Sequence, residues 1–145
     1  MKILKVVFLI ILVGFIAIQF IRPVKNNDSK ESGNDISLVL TVPSSVHQSL
    51  KDACYDCHSN STNYPWYFNI QPVGLMMNRH ITEGREELNF SNFEINPDKM
   101  KEIAEVIEEN EMPLKSYRML YKKARLDDTR KKELIQWAES ETSFK

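Results

Sequence analysis

The stretch that most constrains this chain is Cys54-Tyr55-Asp56-Cys57-His58. Two cysteines with two residues between them, followed at once by histidine, form the attachment signature of c-type haem. On a helical turn, thiols three positions apart project to the same side, so each can add to a haem vinyl group. The adjacent imidazole then lies under the porphyrin, where it can bind the iron as the proximal ligand. The pattern therefore predicts one haem c, attached through Cys54 and Cys57 and ligated by His58.

Length, cysteine count and net charge limit the number of domains and the kinds of partner and metal site that the chain can have. The chain has 145 residues, which predicts one domain together with its termini. Both cysteines lie inside the motif, so neither a four-cysteine zinc site nor a disulfide framework is available. Residues 1–25 carry four basic side chains and no acidic one, whereas the net charge of the whole chain is −1. The rest of the chain is therefore acidic, which argues against a nucleic-acid partner.

The amino terminus is strongly apolar. Residues 3–21 are almost entirely Ile, Leu, Val, Phe and Ala. A run of roughly 17 to 20 apolar residues is long enough to cross a bilayer as a helix. Lys2 and Lys5 precede or interrupt its start, as in a signal peptide or signal anchor, and no small-x-small cleavage site follows. We expect residues 1–24 to be a membrane anchor or signal, and residues 25–42 to be a flexible linker with an extended lead-in.

Hydrophobic spacing and capping residues predict a series of short helices beyond the linker. Ser44 or Ser45 is the expected N-cap of a helix that runs to about residue 57, and Asn96 and Asp127 are the expected N-caps of two later helices. Two further helices are predicted over residues 72–88 and 114–124. The expected buried positions are Val46, Leu50, Ala53, Phe90, Phe93, Met100, Ile103, Ala104, Ile107, Tyr117, Leu120, Tyr121, Leu134, Trp137 and Ala138.

These elements predict the fold class. We expect residues 43–145 to form an all-α, cytochrome c-like domain of four to five short helices around one covalently bound haem. One N-terminal transmembrane helix is expected to precede it. The aromatic cluster Tyr-Pro-Trp-Tyr-Phe at residues 64–68 is expected to form the pocket wall. A backbone carbonyl of the same loop is the expected hydrogen-bond acceptor for the second ring nitrogen of His58.

The sixth iron ligand has three candidates. Met112 precedes Pro113 and is expected to lie in an extended connector, where its thioether can be aimed at a porphyrin plane. His80, on the predicted helix over residues 72–88, is the alternative distal ligand. The third possibility is an open or water-bound iron. The difference matters because a thioether raises the redox potential relative to a second imidazole, whereas an open site permits chemistry with peroxide or small gases.

Three segments resemble the small bacterial haem-binding domain family that carries a Cys-x-x-Cys-His motif. They are CYDCHSNSTNYPWYFNIQPV at 54–73, NRHITEGREELNFSNF at 78–93 and MPLKSYRMLYKKARL at 112–126. With a closing helix near Trp137, the resemblance covers residues 43–139 and implies a haem-binding role for the motif. More distantly, the Met-Pro pair resembles class I cytochromes c, in which that methionine is the distal ligand. Glu109-Asn110-Glu111 stands here in place of their usual glycine.

The predicted function is one-electron transfer by a membrane-tethered c-type cytochrome-like protein. It is expected at the bacterial inner membrane, single-pass, with the C-terminal domain in the periplasm, because covalent haem attachment is an extracytoplasmic process. The basic residues that crowd positions 115–132 could steer an acidic redox partner protein. No general acid, base or nucleophile constellation is apparent in the sequence, so a carrier is expected rather than a catalyst. Two alternatives stay open: a haem enzyme or gas or redox sensor with an open sixth iron site, and a non-haem thiol-redox or interaction module.

Overall fold

The computed structural model describes residues 2–27 and 33–142. All of the regular secondary structure in these residues is helical. They contain no β-strand, only isolated bridges between Asn27 and Ser61 and between Asn34 and Asn92. The α-helices are α1 (Lys2–Ile18), α2 (Ile36–Val39), α3 (Ser44–Ala53), α4 (Tyr55–His58), α5 (Val73–Glu87), α6 (Pro97–Glu108), α7 (Lys115–Leu120) and α8 (Asp128–Glu141). Two 3-10 helices cover Trp66–Asn69 and Lys122–Ala124. The all-α prediction is confirmed.

The helices outnumber the four to five expected because two predicted helices are divided. The first breaks at Cys54, whose backbone (φ −123°, ψ −40°) leaves the helical range and separates α3 from α4. The predicted helix over residues 114–124 breaks at Tyr121 (φ −114°, ψ 96°), so that a 3-10 turn follows α7. Hydrophobic spacing continues across both breaks, which is why the sequence pattern does not reveal them.

The hydrophobic core lies where α6 and α8 pack together and α3 covers α8. Most of the expected core positions are buried there: Val46, Leu50, Phe90, Phe93, Met100, Ile103, Ala104, Ile107, Leu134, Trp137 and Ala138. Ala53 is buried as well. Tyr117 and Tyr121 are half-buried, but Leu120, expected to face inward, is 64 % exposed. The prediction that Leu120 is buried is therefore wrong; its side chain lines an open cavity beside Cys57 instead.

Two of the three predicted N-caps are confirmed. The Asn96 side chain accepts a hydrogen bond from the backbone N–H of Asp98, and Asp127 accepts one from that of Arg130. Each bond satisfies one of the free N–H groups at a helix start. The N-cap of α3 is Pro43, without a side-chain bond, instead of Ser44 or Ser45.

The extended lead-in expected before residue 43 is wrong in its central part. Residues Ile36–Val39 form one helical turn, capped by the Asp35 side chain, which accepts from the N–H of Ser37. Ile36 is completely buried, and its N–H donates to the carbonyl of Phe90. The segment therefore belongs to the core instead of lying along its edge.

The expectation of a flexible linker does not hold for the part of it that the structure describes. Asn26 is buried, and its side-chain amide donates to the carbonyl of Ser59 and to Oγ1 of Thr62. At the other end, the carbonyl of Asn34 accepts from the N–H of Phe93. Both ends of the predicted linker are thus packed on the domain, and residues 28–32 lie outside the described residues.

The side chains of α1 are exposed over almost its full length. Within residues 2–27 and 33–142, however, no helix combines the length and the apolarity needed to cross a membrane. The structure therefore does not support the predicted transmembrane helix.

Candidate functional site

The Cys-x-x-Cys-His motif forms one helical turn. The carbonyl of Cys54 accepts hydrogen bonds from the N–H of Cys57, at 3.1 Å, and from the N–H of His58, at 2.9 Å. This turn is α4, which packs against α3 and α5. Neither cysteine forms a disulfide, and both are half-buried. The motif therefore holds two thiols and an imidazole within a single helical turn.

The ring of His58 is fixed by a backbone carbonyl at the end of α5. Nδ1 lies 3.1 Å from the carbonyl oxygen of Leu88. A carbonyl can only accept, so Nδ1 carries the proton and donates, and Nε2 keeps its lone pair in the neutral ring. Burial lowers the pKa of His58, and the bond to Leu88 opposes that effect only in part. The expectation that a carbonyl of the aromatic loop would accept this bond is wrong.

Leu88 can accept this bond because α5 ends there. The last carbonyls of a helix have no partner within the helix, so they are free to accept from other groups. Leu88 itself is the C-cap, with extended backbone. The next segment returns to the motif, since the N–H of Phe90 donates to the carbonyl of His58 at 2.7 Å. Both the ring and the backbone carbonyl of His58 are therefore bonded to one short segment, residues 88–90.

A glycine on α5 allows the motif to approach the helix closely. A Cβ atom at Gly84 would lie 3.0 Å from the carbonyl oxygen of Cys57 and 3.4 Å from both Cys57 Cβ and His58 Cε1. These contacts would be tight for any side chain. The absence of a side chain at Gly84 therefore leaves the space that Cys57 and the imidazole of His58 occupy, and we call this space the cradle at Gly84.

Asp56, between the two cysteines, is a buried carboxylate that joins three segments. Its Oδ2 accepts from the Tyr117 hydroxyl at 2.6 Å, and its Oδ1 accepts from the backbone N–H and the side-chain amide of Asn63. The carbonyl of Asp56 accepts from the hydroxyl of Thr62. Burial, followed by the bond to Asp56, raises the pKa of Tyr117 far above its usual value. This tyrosine therefore stays protonated and donates to the carboxylate.

Burial also keeps the two thiols protonated. It is the main cause that raises the pKa of Cys54 to about 12, with the neighbouring Cys57 as a second cause. The pKa of Cys57 is raised to about 11, mainly by burial and secondly by Asp56. Reactive cysteines have the opposite shift, because nearby positive charge or a helix N-terminus stabilises their thiolate.

Two largely apolar cavities flank the motif. The first, the Cys57 cavity, has a volume of about 260 Å³ and is lined by Cys57, Tyr67, Met76, His80 and Tyr117, among others. The second, the His58 cavity, has a volume of about 100 Å³ and is lined by Cys54, His58, Phe90, Lys99 and Met112, among others. Small-molecule and cofactor pockets typically measure roughly 300 to 1,000 Å³. The larger cavity alone is close to that range.

The two candidate sixth ligands lie in different cavities. Met112 is half-buried in the connector between α6 and α7 and shares the His58 cavity with Cys54 and His58. His80 is on α5 and shares the Cys57 cavity. Asn110, in the segment where class I cytochromes have glycine, adopts φ 61°. Asparagine tolerates this left-handed conformation, so the connector turns without a glycine.

The aromatic loop divides its side chains between different environments. Tyr67 lines the Cys57 cavity, as expected of a pocket wall. Phe68 is buried against the ring of Tyr64 and lines neither cavity. Trp66, in contrast, is 75 % exposed, and the Tyr64 hydroxyl accepts from the backbone N–H of Asn26. Only part of the cluster therefore faces the site.

The sequence reasoning missed Asp56, Gly84 and the carbonyl of Leu88. Two of them carry a local signal: a polar residue inside a buried motif, and an isolated glycine within a helical pattern, which usually has a packing reason. The role of Leu88 has no local signal, because it depends on where α5 ends in space.

The described residues fit a haem group. Two unpaired thiols, a neutral imidazole anchored through Nδ1 and apolar cavities on both sides are the donors and surroundings that this cofactor uses. Comparison with family models matches the haem-binding domain over residues 13–140, from within α1 to within α8. Searches of the curated proteins and of the solved structures found no match. The chain therefore belongs to the haem-binding domain family, and haem is its cofactor.

Proposed function

We propose that the domain carries one haem c, attached through Cys54 and Cys57, and that it transfers single electrons. The supporting observation is the motif turn itself. Both thiols are free, and His58 is oriented by its Nδ1 bond to the carbonyl of Leu88 so that Nε2 can bind iron. When bound, haem supplies an iron that alternates between the ferric and ferrous states.

The chain contributes orientation and exclusion of water. The bond from His58 to Leu88 makes the imidazole a better donor and fixes its plane, as outer-shell partners of metal-bound histidines do. The cradle at Gly84 holds the turn close to α5, and the apolar cavity walls keep a porphyrin out of water. A low-dielectric environment disfavours the more highly charged state, so burial is one of the factors that set the redox potential.

The electrostatics of the thiols oppose the thiol-redox alternative. Thiol-disulfide exchange needs a thiolate, and both cysteines have their pKa raised by burial. Attachment to haem, in contrast, leaves no thiol to be titrated.

Intact mass spectrometry after expression in a host with haem-attachment machinery tests covalent attachment: one haem must remain bound after denaturation. A Cys54→Ser, Cys57→Ser double variant must lose it, and wild-type protein at the bare polypeptide mass would contradict the proposal.

We assign the distal ligand to Met112, with His80 as the alternative. Met112 lies in a connector whose backbone is held by hydrogen bonds of Glu111 and Met112 to the carbonyl of Val106. A methionine in such a segment can turn its thioether toward a cofactor. The ferric protein should therefore have a sulfur-to-iron charge-transfer band in the near infrared. Met112→Ala must abolish this band, whereas Met119→Ala, a change at an exposed methionine, must leave it intact.

The ligand variants identify the sixth ligand, and carbon monoxide binding separates an electron carrier from a gas sensor. If Met112→Ala keeps the band, Met112 is not the ligand; if only His80→Ala changes the spectrum, the alternative ligand is correct. Carbon monoxide should leave the spectrum of the reduced wild-type protein unchanged at neutral pH. Binding of carbon monoxide by the wild type would instead favour the haem enzyme or gas sensor with an open sixth site.

We further propose that the protein is held at the outer face of the bacterial inner membrane and meets an acidic redox partner there. Membrane association is supported by α1, whose exposed apolar side chains form a continuous surface of the kind that marks interaction sites. The partner is supported by the basic residues of α7 and the turn after it, because α7 also forms part of the wall of the Cys57 cavity. Electron transfer to such a partner should slow as salt screens the attraction.

A further inference from the structure

The segment that connects α1 to the domain is fixed to one loop by a set of hydrogen bonds. The side chain of Gln19 donates to the carbonyl of Gln71 and accepts from its N–H, at 3.1 and 3.0 Å. The side chain of Gln71, which is completely buried, donates to the carbonyl of Ile21. Arg22 donates to the carbonyl of Asn69 at 2.6 Å. The end of α1 and the loop over residues 66–71 therefore move as one unit.

Large apolar side chains remain exposed on both parts of this unit. Their exposed fractions are 82 % for Phe20, 88 % for Val24 and 75 % for Trp66. Ile21 and Ile70 are exposed as well. We call Phe20, Ile21, Val24, Trp66 and Ile70 the junction surface. It continues the exposed apolar surface of α1, and exposed apolar patches of this extent mark a contact with a partner or a lipid phase.

The charged residues of the amino-terminal segment, which carries part of the junction surface, are all basic. Arg22 and Lys25 are exposed, and residues 2–27 contain no acidic side chain. The ammonium group of Lys25 lies 5.3 Å from the centre of the Tyr64 ring, so the basic groups are directed along the same loop. Basic side chains beside tryptophan and aliphatic residues are typical of the boundary between lipid headgroups and acyl chains.

From these observations we infer that the junction surface lies in the headgroup layer of a bilayer that contains anionic lipids. Trp66 and its neighbours thereby fix the orientation of the haem domain against the membrane. This inference rests on the proposed membrane association and adds a defined contact face to it. The domain then does not swing on a linker. Tyr67, next to Trp66, lines the Cys57 cavity, so that cavity is held near the lipid surface.

Cysteine accessibility in vesicles tests the contact. The haem-loaded full chain is reconstituted into vesicles of phosphatidylethanolamine and phosphatidylglycerol in equal parts. Trp66→Cys is compared with Leu38→Cys, a change at a residue of similar exposure on α2, and Ile70→Cys provides a second probe. The wild type, labelled in parallel, gives the background from Cys54 and Cys57. A water-soluble maleimide reports each rate, and labelling after denaturation corrects for intrinsic reactivity.

The expected result is that the cysteines at positions 66 and 70 react several-fold more slowly in vesicles than the cysteine at position 38. Equal rates at the three positions, with the wild type still floating with the vesicles in a density gradient at neutral pH, overturn the contact face but leave membrane association standing. Wild-type protein that stays at the bottom of the gradient overturns both. A variant that loses the native haem spectrum is replaced by the second probe, so the comparison does not depend on Trp66 alone.

Discussion

At the scale of single residues, Asp56 has the most connections in the site. Its carboxylate holds Tyr117, on α7, and Asn63, in the loop after the motif, and its own position is between the two cysteines. A buried carboxylate is costly unless hydrogen bonds satisfy its oxygens. Here donors from two segments satisfy both oxygens, so the residue fixes the motif relative to the wall of the Cys57 cavity.

Replacing Asp56 should therefore cost stability in proportion to the bonds lost. Asp56→Ala leaves the Tyr117 hydroxyl and the Asn63 amide without their acceptor, and we expect the free energy of unfolding to fall by about 2 to 3 kcal/mol. Asp56→Asn keeps one acceptor oxygen and should cost about 1 kcal/mol. Urea unfolding of the haem-loaded protein measures both. A loss below the error of the measurement for Asp56→Ala would contradict the proposed role.

Residues differ in how far sequence alone reveals them. Cys54, Cys57 and His58 could be proposed as the haem site from sequence because their chemistry depends on spacing within one turn. The partners of this turn could not, since Leu88 lies 30 positions from His58 and Tyr117 lies 61 positions from Asp56. A hydrogen bond across such a separation follows from how helices pack, and hydrophobic spacing carries no information about it.

At the scale of elements, α5 organises the site through its two glycines and its end. Gly74 allows the first turn of α5 to meet the 3-10 helix over Trp66–Asn69, and Gly84 allows the motif turn to approach. Helix caps at Asn96 and Asp127 were predictable because capping is a local interaction. The breaks at Cys54 and Tyr121 were not, because tertiary packing overrides the local preference for helix there.

Replacing Gly74 with alanine has two opposing effects on stability: alanine favours the helix, but its Cβ clashes with the neighbouring backbone. Alanine is favoured over glycine inside a helix by roughly 1 kcal/mol. A Cβ at Gly74 would, however, lie 2.0 Å from the carbonyl oxygen of Phe68, a distance that forces the backbone apart. We expect Gly74→Ala to lower the free energy of unfolding by about 2 kcal/mol, within the range for overpacked sites.

Urea unfolding also measures this change, and Gly33→Ala is the matched control. Gly33 has no atom within 4 Å of the position that its Cβ would take, so its replacement should change stability by less than about 0.5 kcal/mol. Equal stability of Gly74→Ala and wild type would mean that α5 and the 3-10 helix separate easily.

At the scale of the whole molecule, the amino-terminal segment is part of the domain. Asn26 is one of the residues that connect them: its backbone N–H donates to the Tyr64 hydroxyl, and its side chain donates to Ser59 and Thr62. Ser59 follows His58, the proposed haem ligand, directly in the chain. A buried asparagine thus joins the amino-terminal segment to the residue next to His58, in addition to the bonds of Gln19 and Arg22.

Asn26→Ala tests this coupling against Asn27→Ala, a change at the exposed neighbouring residue. Asn26→Ala leaves the buried carbonyl of Ser59 without a donor, so we expect the free energy of unfolding to fall by about 1 to 2 kcal/mol. Asn27→Ala keeps the backbone bridge to Ser61 and should have little effect. Urea unfolding in detergent micelles, followed by haem absorbance, measures both variants. Equal stability of the two alanine variants would mean that the bonds of Asn26 do not help to hold the segment on the domain.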